Sequence, residues 1–235
     1  MPGVWVERIE GNEVPILLAE MTSWPYIAWS PNGNEIVVTG SRGNILLFQV
    51  GNWEDKQVLY EVASQTGIDG NLLPHGMPIW SPDSQYIATV NPNLNAKLMF
   101  WQPSRKDASL LYSIGFKDEN TYLSPKLDIG PTWSSDSKRI AFLTTSKLEM
   151  LSEELWIWDV ERGKYEIAFK LENGSLSAPV WSPDDQMIVF SGGNEIVFFD
   201  LAEQLFRRVP FPEDNIIVGS QKFWSPDSTR LIVSV

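Results

Sequence analysis

Apolar positions along this chain come in short runs rich in β-branched and aromatic residues. Each run is bounded by Gly, Pro, Asn, Asp or Ser. Runs such as "NEIVVTG" (34–40), "KRIAFLT" (138–144) and "QMIVFSG" (186–192) are apolar on both faces. That pattern predicts a strand sandwiched between two other sheets. Each run follows a Trp and a polar turn, and the combination recurs: "AWSPNGNEIVVTG" from Ala28, "IWSPDSQYIATVN" from Ile79, "TWSSDSKRIAFLT" from Thr132, "VWSPDDQMIVFSG" from Val180 and "FWSPDSTRLIVSV" from Phe223.

Five copies in register are an internal repeat, and a period of this length predicts a propeller or a solenoid. Their tryptophans are Trp29, Trp80, Trp133, Trp181 and Trp224, and Ser follows in every copy. Pro comes next in four copies, with Ser135 the exception. Asn32, Asp83, Asp136, Asp184 and Asp227 stand three residues after the Trp, and Ile36, Ile87, Ile140, Ile188 and Leu231 seven after it. Pro presets φ, and the Asx side chain accepts backbone N–H groups in a turn. Each copy therefore predicts a hairpin of two strands, A and B, with the Trp wedged between neighbouring sheets.

A second pattern follows four of the hairpins: "NILLFQV" (44–50), "KLMFWQP" (97–103), "ELWIWDV" (154–160) and "EIVFFDL" (195–201) read as C strands. "KQVLYEV" (56–62), "ASLLYSI" (108–114), "YEIAFKL" (165–171) and "LFRRVPF" (205–211) read as outer D strands. Four antiparallel strands per unit, stacked radially, make a propeller blade. The chain opens with "GVWVERI" and "EVPILLAE", a C–D pair, and stops after the A–B hairpin at "RLIVSV". The expectation is an all-β, five-bladed propeller forming one domain over 1–235, its last blade shared by the two ends so that no sheet edge stays open.

The P-x-W-S-P-D signature, with its leading Pro78, Pro131 and Pro179, resembles the TolB-type β-propeller repeat, a relative of the WD repeat. The resemblance covers essentially the whole chain. It differs from a true WD repeat in having a single Trp-Asp pair, Trp158-Asp159, and from kelch blades in lacking a repeated Gly-Gly. The TolB protein itself couples a six-bladed propeller to an N-terminal domain. Similar blades also form the non-catalytic propeller of prolyl-oligopeptidase-type enzymes. The resemblance implies a TolB-like scaffold that binds a protein or peptide. The alternatives are an accessory or gating propeller of a larger enzyme, and a carbohydrate-binding propeller.

Composition narrows the chemistry. The chain is 43% hydrophobic and 20% charged, the balance of a folded protein, and its 11 tryptophans supply core. A net charge of −12 without a clustered Lys/Arg footprint argues against nucleic acid as partner. With no Cys and only His75, neither a thiolate nor a multi-histidine metal site can be built. No nucleophile elbow, phosphate loop or calcium loop occurs. The expectation is no enzyme activity, no cofactor and no metal; a carboxylate-only glycosidase stays open, because its two acids can come from distant blades. No apolar run reaches the ~18 residues that span a bilayer, and no signal-peptide pattern precedes the first strand. The compartment is open: cytoplasmic if Met1 is native, periplasmic or extracellular if the chain is a trimmed domain.

Loop lengths point to a binding surface. The A–B turns are short, as are the C–D connections, of which "GNWEDK" (51–56) is the longest. The opposite face carries D–A loops 64–76 and 116–130 and B–C loops 91–96 and 145–154. Long connections without structure of their own are commonly functional. The candidate contacts are Asp69, Asn71, His75, Asn91, Asn93, Lys117, Asp118, Glu119, Tyr122, Lys147 and Glu149. His75, in "LLPHGMP", reads as an ordinary loop histidine. The Asx residues recur at one turn position and read as structural, and Trp156 and Trp158 read as packing between blades.

Overall fold

The computed structural model describes residues 3–7, 14–20, 25–39, 44–60, 76–91, 97–103, 110–115, 123–125, 130–146, 152–172, 174–211 and 222–234. Among them every regular element is a strand, and every paired sheet is antiparallel. The strands fall into two compact units, Met1–Gly115 and Phe116–Val235.

In the first unit, β1 (Gly3–Val6) pairs with β2 (Ile16–Glu20) as a two-stranded sheet. β3 (Tyr26–Trp29), β4 (Glu35–Thr39), β5 (Ile45–Gln49) and β6 (Asn52–Tyr60) form a meander, and so do β7 (Ile79–Trp80), β8 (Ile87–Asn91), β9 (Lys97–Trp101) and β10 (Leu110–Gly115). β4 is buried on both faces because it lies between two neighbours. Ile36 and Val38, with Phe48, pack on Val4, Leu18 and Ala19 of the two-stranded sheet. Val37, Ile45 and Leu47 pack on Trp80, Ile87, Met99 and Trp101 of the next sheet. Each such aliphatic taken from water stabilises the unit by roughly 1.5–3 kcal/mol.

The second unit repeats the scheme. β11 (Leu123–Pro125), β12 (Thr132–Trp133), β13 (Arg139–Ser146), β14 (Glu153–Asp159) and β15 (Lys164–Leu171) make one sheet. β16 (Val180–Trp181), β17 (Met187–Gly192), β18 (Glu195–Asp200) and β19 (Leu205–Pro210) make the next, and β20 (Lys222–Trp224) pairs with β21 (Leu231–Val233). Ala141, Leu143, Leu155, Ile157 and Phe169 of one sheet meet Trp181, Ile188, Phe190, Val197 and Phe199 of the other. The outer strand β19 is exposed along its length.

Three local expectations change. The 51–56 connection is largely strand: β6 begins at Asn52, opposite Gln49, and a register shift absorbs the residues that follow. Gly51, at φ +86°, makes the tight reversal that a side chain would resist. The 116–130 segment holds a strand of its own, since Leu123–Pro125 pairs with Thr144–Ser146 at the free end of the long β13. Trp29 is 53% exposed, whereas Trp80, Trp133 and Trp181 are buried. Within its unit Trp29 has only β1 and β2 on that side, and they cover Ile36, Val38 and Phe48 instead.

Candidate functional site

The signature turn is a closed set of hydrogen bonds, repeated five times. The Ser after each Trp donates its hydroxyl to the Asx residue two on, at 2.5–2.8 Å. Its Oγ accepts the N–H five residues on at 2.9 Å. The Asx Oδ1 also accepts the N–H two further, at 2.9–3.1 Å. The Ser182 hydroxyl leads in holding the Asp184 carboxyl below the usual range, as Ser225 does for Asp227.

The next residue takes a left-handed backbone: Gly33, Ser84, Ser137, Asp185 and Ser228 have φ between 56° and 74°. In a non-glycine residue this costs about 1–2 kcal/mol, and the side chain explains its retention. Ser84 Oγ accepts the Asn32 N–H of the preceding copy at 3.1 Å, and Ser228 Oγ does the same for Asp184. Ser135, which lacks the usual Pro, brings an extra N–H and a hydroxyl. Asp185, a carboxylate in place of Ser or Gly, accepts both at 2.7 Å and the Asp136 N–H at 2.9 Å. The signature Trp adds another tie: Trp80 Nε1 donates to Ala28 O at 3.2 Å and Trp181 Nε1 to Thr132 O at 3.1 Å. At this end of the sheets the repeated polar groups are used in holding the repeats together.

The opposite ends differ. Of the candidate contacts, Asp69, Asn71, His75, Asn93, Lys117, Asp118, Glu119, Tyr122, Lys147 and Glu149 lie outside the described residues. The backbone of Asn91 closes β8, opposite Lys97. Trp156 and Trp158 both belong to packing: Trp158 is buried, and Trp156 stacks on Phe142 at 6.4 Å.

Two polar clusters at these ends of the second unit have no counterpart in the sequence reading. In the first, Glu153 is buried at the start of β14 and accepts the Leu176 N–H at 2.6 Å and the Ser175 hydroxyl at 3.3 Å. Its neighbour Glu154 accepts the Trp156 indole N–H at 3.1 Å. Burial pushes the Glu154 carboxyl up, more than Lys170 and that indole pull it down.

In the second cluster, Lys222 Nζ donates to Ser177 Oγ at 2.5 Å and to Ala178 O at 3.4 Å. Ser177 Oγ also receives the Ser191 hydroxyl at 2.6 Å and the Ser191 N–H at 2.8 Å. Lys222 is 5% exposed, and burial pushes its amine down to about 8. One sequence signal does mark the spot: Lys222 stands two residues before its Trp, where three copies have Pro78, Pro131 and Pro179.

A cavity of about 600 Å³ in the same unit is lined by Met187, Phe198, Leu205, Arg207, Trp224 and Leu231. Among the described residues no group of three or more His, Cys, Asp or Glu could hold a metal ion, and no helix is long and apolar enough to cross a membrane.

No protein-family model matches the chain, and no curated protein matches it. Solved structures do. An oligogalacturonate lyase in complex with manganese superposes with a TM-score of 0.61 at 16% identity, covering 88% of this chain and 57% of the lyase. An oligogalacturonate lyase of Vibrio parahaemolyticus gives 0.58 at 16% identity, over 88% of this chain and 56% of the other. A TolB-like protein of Agrobacterium tumefaciens gives 0.54 at 12% identity, over 94% and 73%. The chain spans little more than half the length of either lyase. At these identities the likeness concerns the fold, and it is that of a β-propeller.

Proposed function

We propose that the chain is a TolB-like propeller of five blades that binds a protein or peptide through its D–A and B–C loops. One observation carries this reading. The A–B turn end is occupied by the repeats' own hydrogen bonds, from Ser84 to Asn32 and from Asp185 to Ser135 and Asp136. Variation between copies is concentrated at the other end, where rigid strands present dissimilar loops. In this reading β1–β2 and β20–β21 share the fifth blade. Each pair is two-stranded, and each exposes apolar side chains, Trp5 and Leu17 in the first unit and Phe223 and Ile232 in the second. The repeats act as scaffold and supply no chemistry.

The test replaces loops 64–76 and 116–130 with short turns and compares affinity capture with that of the unaltered chain. The reading expects a polypeptide retained by the unaltered chain and lost by the trimmed one, with thermal unfolding of the two alike. Capture that survives trimming overturns it.

A second reading, carbohydrate binding, is favoured by two of the structural relatives being oligogalacturonate lyases. Binding on a glycan array and depolymerisation of oligogalacturonate test it; neither result in the unaltered chain removes it.

A further inference from the structure

A proline two residues before the signature Trp needs no partner, whereas an ammonium does. Lys222 brings that ammonium into the second unit almost wholly buried, and among the described residues no carboxylate pairs with it. Glu153 and Glu154, on the strand that contacts the Ser175–Ser177 loop, are taken up by Leu176, Ser175 and Trp156. Burial is the cause of the depressed lysine pKa. An unpaired buried cation costs stability, and such costs are typically retained where a group is used.

The hydrogen bonds around Ser177 bring the amine onto a hydroxyl. A hydroxyl oxygen has two lone pairs, yet Ser177 Oγ lies within reach of three donors: Lys222 Nζ, the Ser191 hydroxyl and the Ser191 N–H. With the amine protonated the set is satisfied once Ser177 O–H turns to Ser191 Oγ. With the amine neutral, Ser177 O–H donates to the Nζ lone pair, the Ser191 N–H donates to Ser177 Oγ, and one Ser177 lone pair is left to attack. Ser177 is only partly covered, while Lys222 and Ser191 are buried.

The loop that carries Ser177 is held from both sides. Its N–H donates to Ser191 O at 2.9 Å, Leu176 bridges Gly192, and the Leu176 N–H is fixed on Glu153. A nucleophile hydrogen-bonded to a base of lowered pKa, on an anchored backbone, is the arrangement that covalent catalysis requires.

We propose that Ser177 is a nucleophile and Lys222 its general base, in an acyl-transfer centre that accepts carboxylic esters. Ser177 Oγ bonds to the ester carbonyl carbon as its proton passes to Lys222 Nζ. The carbon–oxygen bond to the alcohol breaks, and the departing oxygen takes that proton from the ammonium. Water then attacks the acyl-serine and gives a proton to Lys222. The acid is released as Ser177 Oγ recovers that proton. The Ser191 N–H and hydroxyl position Ser177 Oγ in both halves. The centre goes beyond the binding reading, and either can fail without the other.

The experiment incubates the full chain with p-nitrophenyl acetate and follows p-nitrophenolate release, intact mass and the acetylated peptide. The expected result is one acetyl group per chain, on Ser177, with a rate that rises with pH through a midpoint near 8. Ser177→Ala abolishes the label. Lys222→Met, which removes a buried charge and so retains the fold, slows labelling by roughly 100-fold or more and removes the midpoint. Ser191→Ala slows it by about tenfold. Acetyl spread over surface lysines with no excess at Ser177, or labelling of Ser177 at an unchanged rate in Lys222→Met, overturns the proposal.

Discussion

Replacing Lys222 by Met keeps an unbranched side chain of similar length while removing the ammonium from a site that is 5% exposed. Burial pushes the amine from its ordinary 10.5 down to about 8 in the fold. The folded state thus binds the proton less tightly than the unfolded state. Stability therefore rises with pH between those two values, where only the unfolded chain is protonated. Below about 8 the full penalty is present, and above 10.5 it is gone. A gap from 10.5 to about 8 corresponds to ~3 kcal/mol. Water reaching the partly open Ser177 side reduces that to about 2 kcal/mol.

Lys222→Met should accordingly be more stable than the unaltered chain by about 2 kcal/mol at pH 7. That equals a rise of roughly 4–8 °C in the unfolding midpoint. Packing differences and the lost bonds to Ser177 and Ala178 enter at every pH, so the informative quantity is the difference between pH values. Urea unfolding of both proteins at pH 7 and above the upper pKa should show the advantage of the variant shrinking to near its packing contribution. An advantage that is constant with pH, or that grows as pH rises, would refute this account, because burial would then not be what lowers the Lys222 amine.

The tie between neighbouring repeats can be probed at Asp185, whose carboxylate accepts the Ser135 N–H, the Ser135 hydroxyl and the Asp136 N–H. Asp185→Ala should destabilise the chain by about 2–3 kcal/mol, read as a lower thermal midpoint, and Asp185→Asn by about half as much; equal losses for the two would contradict the account. The five-bladed ring proposed above predicts that the intact chain stays monomeric in native mass spectrometry at micromolar concentration. Deleting residues 1–20 should open a sheet edge and produce dimers or aggregates. Assemblies formed by the intact chain, or a clean monomer after the deletion, would count against closure.

The sequence determined the local elements of this protein, because strand alternation and turn chemistry act over a few residues. The Trp-Ser-Pro-Asp spacing places a hydroxyl, an Asx oxygen and the N–H groups they bind within one reversal, so β3–β4, β16–β17 and β20–β21 were all legible as hairpins. The apolar runs after them marked strands buried on both faces, as in β4. What the tertiary structure decided depends on neighbours that spacing cannot supply. The exposure of Trp29 follows from how little of the preceding sheet stands beside it in its own unit, and the left-handed Asp185 makes sense only beside Ser135, 50 residues earlier. Ser177 and Lys222 are 45 residues apart and share no motif. Their meeting is set by the packing of β20 against the β16–β17 end of its unit, and the break from Pro to Lys was its one trace in the sequence.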